Sequence, residues 1–242
     1  MGDFWHRPLN WIFIVAGILL VATVVFVVFQ PVQVIPRIAY GPDYNLVDQY
    51  GQPITEESLA GNIVLFGFGY TSDPTDRLDR TLGDMRAFEQ AIASSDLDGG
   101  VKFGLILYDD VRDTIERRQS FAAEQDLDTN WLLIGGDPVA LKQTVGQGFG
   151  IYYEAILMAD LVENEPQLVE TDLAFSSDDV GYLQAERFVL IDERNIIRAE
   201  YRMPLDLEMA LRDVRYIIRE KNSTGAAKAL NEAAHLFLCY PQ

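Results

Sequence analysis

The feature that most constrains this chain is an uncharged apolar run near its N-terminus. Residues 11–29 carry no charged side chain and are mostly Ile, Leu, Val and Phe. As a helix, the run would extend about 28 Å, close to the roughly 30 Å of a bilayer's hydrocarbon core. We therefore expect one transmembrane helix over residues 11–29, in contact with the lipid bilayer and ended by Pro31 and Pro36.

The flanks of this run predict its orientation. The residues after it, Phe29-Gln30-Pro31, offer no small-x-small cleavage site, which favours a retained anchor over a cleaved signal peptide. Residues 1–10 are short and contain Arg7, so the positive-inside rule places them in the cytoplasm. The rest of the chain is then expected on the periplasmic side of the cell's inner (cytoplasmic) membrane.

The charge of the chain excludes one class of partner. The formal net charge is −18, with 37 acidic against 19 basic residues, and such a field repels nucleic acids. It suits a basic partner, such as a cationic electron carrier or a positively charged subunit face. A charge that only keeps an outward-facing domain soluble is the plain alternative.

Few residues are available for catalysis. The chain has one cysteine, Cys239, and two histidines, His6 and His235. A single thiol cannot form an internal disulfide, and a Ser/His/Asp site needs a histidine inside the domain. We therefore predict a protein that is not an enzyme.

Behind the apolar run, the sequence predicts a stalk, one domain and a tail. Residues 30–43 are punctuated by prolines, as in an extended stalk. No Ser/Gly-rich or Pro-rich linker divides residues 44–220, which are expected to form one domain with one core. Residues 221–242 form a tail, and its segment 225–240 is predicted to be a short helix too apolar for a free end.

Two continuous apolar runs predict the centre of the domain. Residues 62–68 and 101–108 have the pattern of strands buried on both faces, and a helical pattern over 75–94 lies between them. This β-α-β order predicts a parallel pair of strands with a right-handed crossover.

The remaining pattern predicts a thioredoxin-like α/β fold. A capping-box start with Asp113 as a helix cap predicts a helix to about Gln125. The other expected elements are strands at 44–48 and 49–54 around a glycine turn, a strand at 131–134, a helix at 138–145, a hairpin of 188–192 and 196–201, and a closing helix at 205–220. Residues 154–181 form an acidic insertion in this order.

Several short motifs then follow one another along the domain. They are Leu46-x-Asp48-x-x-Gly51, Leu59-x-Gly61, Phe68-Gly69-Tyr70-Thr71, Asp109 to Thr114, Trp131 to Gly136, and Leu190-Ile191-Asp192. Over residues 40–220 this series resembles the Sco/SenC proteins, which are membrane-anchored thioredoxin-fold factors that deliver copper to cytochrome c oxidase.

The resemblance also implies where copper would be held. In that family the ligands are two cysteines four residues apart after the Gly-Tyr-Thr turn, and a histidine six residues before the leucine of the hairpin. The corresponding residues here are Asp73, Arg77 and Gln184, which supply no soft thiolate and place a cation at the site. We therefore predict no copper binding and no thiol–disulfide exchange. An Asp73–Arg77 ion pair across the first helical turn, which would contribute little at the surface, is the plain alternative use of these positions.

Two other groups of residues could supply metal ligands. Four carboxylates could gather at one loop edge and bind a hard cation such as Ca²⁺: Asp73, Asp76, Asp109 and Asp110. Clusters of this kind also arise by chance in so acidic a chain. His235 and Cys239 would share a helix face, although ordinary packing is the simpler use of such a pair. No metal, cofactor or catalytic site is predicted.

We therefore predict a non-catalytic accessory subunit of a membrane electron-transfer complex. The fold is preserved, the copper ligands are missing and an anchor is present, and the acidic insertion and the apolar tail helix could both bind a partner. By resemblance, the host would be a haem-copper oxidase or alternative complex III of respiratory or photosynthetic bacteria, with integral-membrane and haem-containing subunits as partners. Small residues in the span, among them Gly17, would favour packing against neighbouring helices. The alternative is an assembly factor for the copper sites of cytochrome c oxidase.

Overall fold

A computed structural model describes residues 8–29, 34–97, 100–164 and 179–238. The first described element is helix α1, Pro8–Phe29, and many side chains along it are exposed, including those of Ile12 and Phe13. No helix in the described part of the chain has the length and apolar character needed to cross a membrane. The membrane span predicted over residues 11–29 is therefore not shown.

In the described chain, α1 is followed by ten strands, seven further α-helices and one π-helical segment. The strands are β1 (Ala39–Tyr40), β2 (Leu46–Val47), β3 (Pro53–Ile54), β4 (Ile63–Gly69), β5 (Val101–Leu107), β6 (Trp131–Ile134), β7 (Tyr153–Leu157), β8 (Val180–Gln184), β9 (Arg187–Ile191) and β10 (Ile196–Arg202). The helices are α2 (Glu56–Leu59), α3 (Arg77–Ala93), α4 (Ile115–Glu124), α5 (Pro138–Leu141), α6 (Met158–Asn164), α7 (Leu207–Lys221) and α8 (Gly225–Leu238), and a π-helical segment, Lys142–Gly148, continues α5.

The main sheet has six strands in the order β1-β10-β9-β4-β5-β6. Strand β4 is parallel to β5, and β5 is parallel to β6, as the β-α-β order predicts. Strand β9 runs antiparallel to both β4 and β10. The carboxyl ends of β4, β5 and β6 consequently meet at one edge of the sheet.

Strand β4 is buried along its whole length, and its side chains alternate between two cores. Phe66 joins the core that also contains Phe149 from the end of the π-helical segment. Leu65 joins the core beneath α3 and α7, with Phe88 and Val214. Each fully buried side chain of this size contributes about 1.5–3 kcal/mol to the free energy of folding. Strand β4 therefore stabilises the cores on both faces of the sheet.

The predicted stalk is not wholly outside the domain. The amides of Ile38 and Gly41 donate to the carbonyls of Ile197 and Asn195, at 2.9 and 2.6 Å, and these bonds make β1 an edge strand. Within the predicted stalk over residues 30–43, Ala39–Tyr40 thus belongs to the main sheet, and residues 30–33 lie outside the described chain. The acidic insertion forms strand β7, helix α6 and strand β8, while its residues 165–178 lie outside the described part of the chain.

Within the predicted tail, helix α8 spans Gly225–Leu238 and packs back on the domain through Ala234 and His235. Glu220, near the end of α7, contacts Arg37 of the stalk at 2.9 Å, Arg198 of β10 at 2.7 Å and His235 of α8 at 3.0 Å. Burial disfavours ionisation of Glu220, but these hydrogen bonds outweigh it and hold the pKa of the carboxyl well below its ordinary value. Glu220 therefore joins the stalk, the hairpin and the tail.

Candidate functional site

The candidate site lies where β4 ends and α3 begins. Strand β4 ends at Gly69, the loop 70–76 follows, and Arg77 is the first residue of α3. Asp73 and Arg77 therefore occupy the sheet edge at which the parallel strands end. Loops at this edge are the usual place for function in open α/β sheets.

The Asp73 carboxylate is fully enclosed. Its Oδ1 accepts hydrogen bonds from the Thr75 amide at 3.0 Å, the Thr75 hydroxyl at 2.7 Å and the Tyr70 hydroxyl at 3.1 Å. Its Oδ2 has no hydrogen bond but lies 3.3 Å from Arg77 Nε, and the two side chains are 0% and 1% exposed. The ion pair predicted from sequence is thus present, but its predicted place at the surface is wrong.

The Arg77 guanidinium is held from three directions. Besides Asp73, its Nε donates to Thr75 Oγ1 at 3.0 Å, and its Nη2 donates to the carbonyl of Tyr182 at 2.9 Å. Burial lowers the pKa of Arg77, but the Asp73 carboxylate together with Tyr70 and Tyr108 outweighs burial, so the net pKa is raised. The site therefore contains a permanent buried cation.

Gln184 is brought to the same region by strand β8. It stands two residues beyond Tyr182, whose carbonyl accepts from Arg77, and its Oε1 is buried without a hydrogen-bond partner among the described residues. One carboxylate that is already paired, one guanidinium and one amide do not make a copper site, because none is a soft donor and the guanidinium repels cations. The residues present do not fit the family's metal.

The hairpin of β7 and β8 covers the site, and three cations bind its backbone carbonyls. Arg77 donates to Tyr182, Arg112 to Val180 at 2.7 Å, and Lys142 to Tyr153 at 2.8 Å. Beneath the hairpin, four tyrosine rings pack with centroid distances between 4.6 and 6.4 Å: Tyr70, Tyr108, Tyr153 and Tyr182. Sequence reasoning missed this arrangement, because only tertiary contact brings the insertion to α3.

Asp113 does not cap α4 as predicted. Thr114 is the N-cap, and its side chain accepts from the Arg117 amide. The Asp113 carboxylate instead accepts from the amide and hydroxyl of Thr71, at 3.0 and 2.5 Å. Burial raises the pKa of Asp113 to about 6, although both hydrogen bonds from Thr71 oppose the rise. Asp113 therefore ties the β5–α4 loop to the loop that carries Asp73.

Three of the four carboxylates expected as a possible calcium site are paired with arginines, and the fourth, Asp110, forms no ion pair among the described residues. Asp73 pairs with Arg77, Asp76 with Arg80 and Asp109 with Arg112. In the ranges that the structure describes, no three His, Cys, Asp or Glu side chains are grouped so as to hold a metal ion. His235 lies against Glu220, and Cys239, the other member of the predicted pair, is outside the described residues.

Comparisons with known proteins agree on the fold. The model of the family described as SCO1/SenC matches residues 33–219. The copper-bound structure of Bradyrhizobium japonicum ScoI is similar, with 21% identity and a TM-score of 0.57 over 74% of this chain and 99% of that one. Copper-bound Arabidopsis thaliana ScoI is 19% identical, with a TM-score of 0.59 over 75% of this chain and 99% of that one.

A third solved structure, BsSco, is described as a member of the Sco family of cytochrome c oxidase assembly proteins. It is 16% identical, with a TM-score of 0.53 over 76% of this chain and 98% of that one. No curated protein matches the chain. At these identities the structural likeness establishes the thioredoxin-like Sco fold.

Proposed function

Because this chain belongs to the SCO1/SenC family, we propose that it is an assembly factor for the copper sites of cytochrome c oxidase. The family match over residues 33–219 carries the proposal, together with relatives that are described as copper-bound or as oxidase assembly proteins. Its action rests on contact with other proteins, not on enzymatic turnover.

The site geometry supports one way in which such a factor would work. Arg77 already places a positive charge beside Asp73, and both side chains are buried. A metal ion entering there would meet a like charge at short range in a medium of low dielectric, where repulsion is strong. The chain would therefore assist assembly by holding a partner subunit, and any copper it handled would bind elsewhere.

The location proposed for the chain follows from its N-terminus. We take the apolar helix α1 as a single-pass anchor in the inner membrane, with the domain on the periplasmic side, where the charge of residues 1–10 would place it. The exposed apolar side chains along α1, such as Ile12 and Phe13, support contact with lipid or with neighbouring helices.

A second candidate function is a lasting accessory subunit of an electron-transfer complex, either a haem-copper oxidase or alternative complex III. The closed site favours this accessory function, because a domain that lacks metal-ligating residues can still cover the outer surface of a complex. Helix α8 also leaves Leu230 about half exposed, which would suit a permanent contact with an integral-membrane or haem-containing subunit.

Affinity purification of the full chain in mild detergent, combined with deletion of its gene, tests these two functions. An assembly factor should recover immature oxidase subunits, be absent from the purified mature oxidase, and leave that oxidase deficient in copper when deleted. An accessory subunit should instead comigrate with haem proteins on native gels in constant ratio. Recovery of neither set of partners, with normal oxidase copper in the deletion strain, would contradict both.

Copper binding by the purified protein is the companion measurement. Competition with a Cu(I)-specific chelator should show no tight site at the position of Asp73, Arg77 and Gln184. If Asp73→Ala abolished stoichiometric Cu(I) binding by the otherwise native chain, the proposed closure of this site would be wrong.

A further inference from the structure

A groove beside the candidate site contains three carboxylates without a cationic partner. It runs between the β5–α4 loop and the segments 45–47 and 136–137, with a volume of about 510 Å³. Asp110, Asp113 and Asp137 line it. Among the described residues, no lysine, arginine or histidine forms an ion pair with any of the three, whereas the adjacent Asp109 is paired with Arg112. Three carboxylates and one cation, Arg118, are among the residues that line the groove, so it keeps a net negative charge.

The groove is apolar as well as acidic. Leu46, Val47 and Ile115 contribute to its lining. Next to it, Val111 follows Asp110 and Val139 lies two residues after Asp137, and these two valines are 76% and 65% exposed. Exposed apolar side chains beside uncompensated charge are typical of surfaces that bind protein, because the apolar part supplies burial and the charge selects the partner.

A buried donor in the same groove lacks an acceptor. Arg118 lines the groove, is only 3% exposed and forms no ion pair in the described chain. Its Nη1 and Nη2 donate to the carbonyls of Asp113 and Asp48, both at 3.1 Å, while its Nε has no hydrogen-bond partner. A buried donor without a partner costs free energy, and the carbonyl oxygen of a bound peptide is an acceptor of the required kind.

We propose that this groove binds a segment of a basic partner protein. A lysine or arginine of that segment would lie between the exposed carboxylates of Asp110 and Asp137. Its backbone would approach Arg118, and neighbouring apolar side chains would pack against Val111 and Val139. The proposal rests on the proposed function, since it names the surface through which the factor meets its partner. The net charge of −18 would also speed encounter with a basic protein.

Other ligand classes fit this groove less well. A phosphate or a nucleic acid would be repelled by the three carboxylates. A divalent metal would need at least three converging ligands, and the described residues contain no such group. A basic peptide uses the charge, the apolar surface and the unpartnered donor together.

Fluorescence anisotropy with short labelled peptides tests the proposal on the full chain in mild detergent. The probes are Gly-Val-Arg-Val-Gly, its Lys form and its Glu form. The Arg and Lys peptides should bind, with affinity falling roughly fivefold when salt rises from about 50 to about 500 mM, because salt screens exposed charges. No binding by the basic peptides, or equal binding by the Glu peptide, would overturn the proposal.

Matched variants locate the binding. Asp110→Asn combined with Asp137→Asn should weaken binding of the Arg peptide roughly fivefold, and asparagine preserves the N-cap that Asp137 supplies to α5. Asp96→Asn is the control, since Asp96 is exposed in the turn before β5, at the opposite edge of the sheet. Unchanged affinity in the double variant, with circular dichroism showing a folded domain, would overturn the proposal.

The experiments distinguish failure of the proposed groove from failure of the proposed assembly function. If the double variant binds the Arg peptide as well as the native chain does, but detergent purification still recovers oxidase subunits, the assembly function stands and the groove is not the contact. If the groove binds the basic peptides and no oxidase subunit is recovered, the groove stands and the oxidase assignment fails.

Discussion

Arg77 Nε lies 3.3 Å from Asp73 Oδ2, and neither side chain reaches the solvent. The two charges lie where the edge of the main sheet meets helix α3, under the β7–β8 hairpin. A buried ion pair is weak evidence for added stability, but removal of one partner leaves the other charge without compensation. This asymmetry makes the pair open to direct test.

Asp73→Ala should reduce the free energy of unfolding by about 3–5 kcal/mol, because it strands the Arg77 cation in the core. The double variant Asp73→Leu with Arg77→Leu should lose less, since no buried charge is left. Urea denaturation followed by circular dichroism measures both. The control is Asp76→Ala in the exposed pair with Arg80, which should change stability by no more than about 1 kcal/mol. Equal effects of Asp73→Ala and Asp76→Ala would contradict the burial argument.

Restoring the ligand types of the family should create a copper site. The triple variant Asp73→Cys, Arg77→Cys and Gln184→His removes the cation and supplies two thiolates and an imidazole, which are donors that select copper. Chelator competition should show one tight Cu(I) per chain in this variant alone. The matched control carries serines in place of both cysteines. If the triple variant binds no more Cu(I) than the control, these positions do not correspond to the family's ligands.

Asp113 should make the domain less stable as pH rises from about 4 to about 6. Burial raises its folded pKa to about 6 from an ordinary 3.8, so the folded state binds the proton more tightly than the unfolded state does. The resulting stability is fully present below the unfolded pKa and disappears through the folded pKa, a loss of about 3 kcal/mol.

The measurement for Asp113 is a series of urea titrations between about pH 4 and pH 7. Asparagine cannot titrate but can still accept from Thr71, so Asp113→Asn should remove this part of the pH dependence. A stability difference between variant and native protein that stays constant across the series would contradict the assignment.

Glu220→Gln should loosen the tail helix α8. The substitution removes the carboxylate shared by Arg37, Arg198 and His235, and leaving the largely buried Arg198 with one fewer partner should cost about 3 kcal/mol. Hydrogen exchange over residues 225–235 reports the effect as faster exchange. Glu208→Gln, at an exposed position on the first turn of α7, is the control. Native exchange rates in Glu220→Gln would mean that α8 is held by packing alone.

Gly17→Leu should weaken association of α1 with neighbouring membrane helices while leaving the chain's own fold intact. A Cβ at Gly17 would meet no atom of this chain within 4 Å, so any clash would come from a partner, and small residues allow close helix packing in membranes. Native gels in mild detergent compare comigration of the variant and native chains. Ile12→Leu is the volume-matched control, and unchanged assembly of Gly17→Leu would leave α1 a simple anchor.

Most of the fold could be predicted because its signals are local. The apolar runs at β4 and β5 have the length and composition of strands buried on both faces, and the pattern between them predicted α3 to within a few residues. The errors arose where a long-range contact overrides a local preference. Asp113 has the spacing of a helix cap, but Thr71 from another loop engages its carboxylate, and β1 exists only because β10 lies beside it.

The sequence by itself determined the central β4-α3-β5 order, the closing hairpin and helix, the acidic charge, and the absence of cysteine and histidine from residues 7–234. These follow from residue types and their periodicity, which need no knowledge of neighbours. Only the tertiary structure decided that Asp73 and Arg77 are buried, that the β7–β8 hairpin covers them, and that three carboxylates without cationic partners line one groove. The reason is that burial and electrostatic pairing depend on segments far apart in the chain, such as residues 73–77 and 182, which only folding brings together.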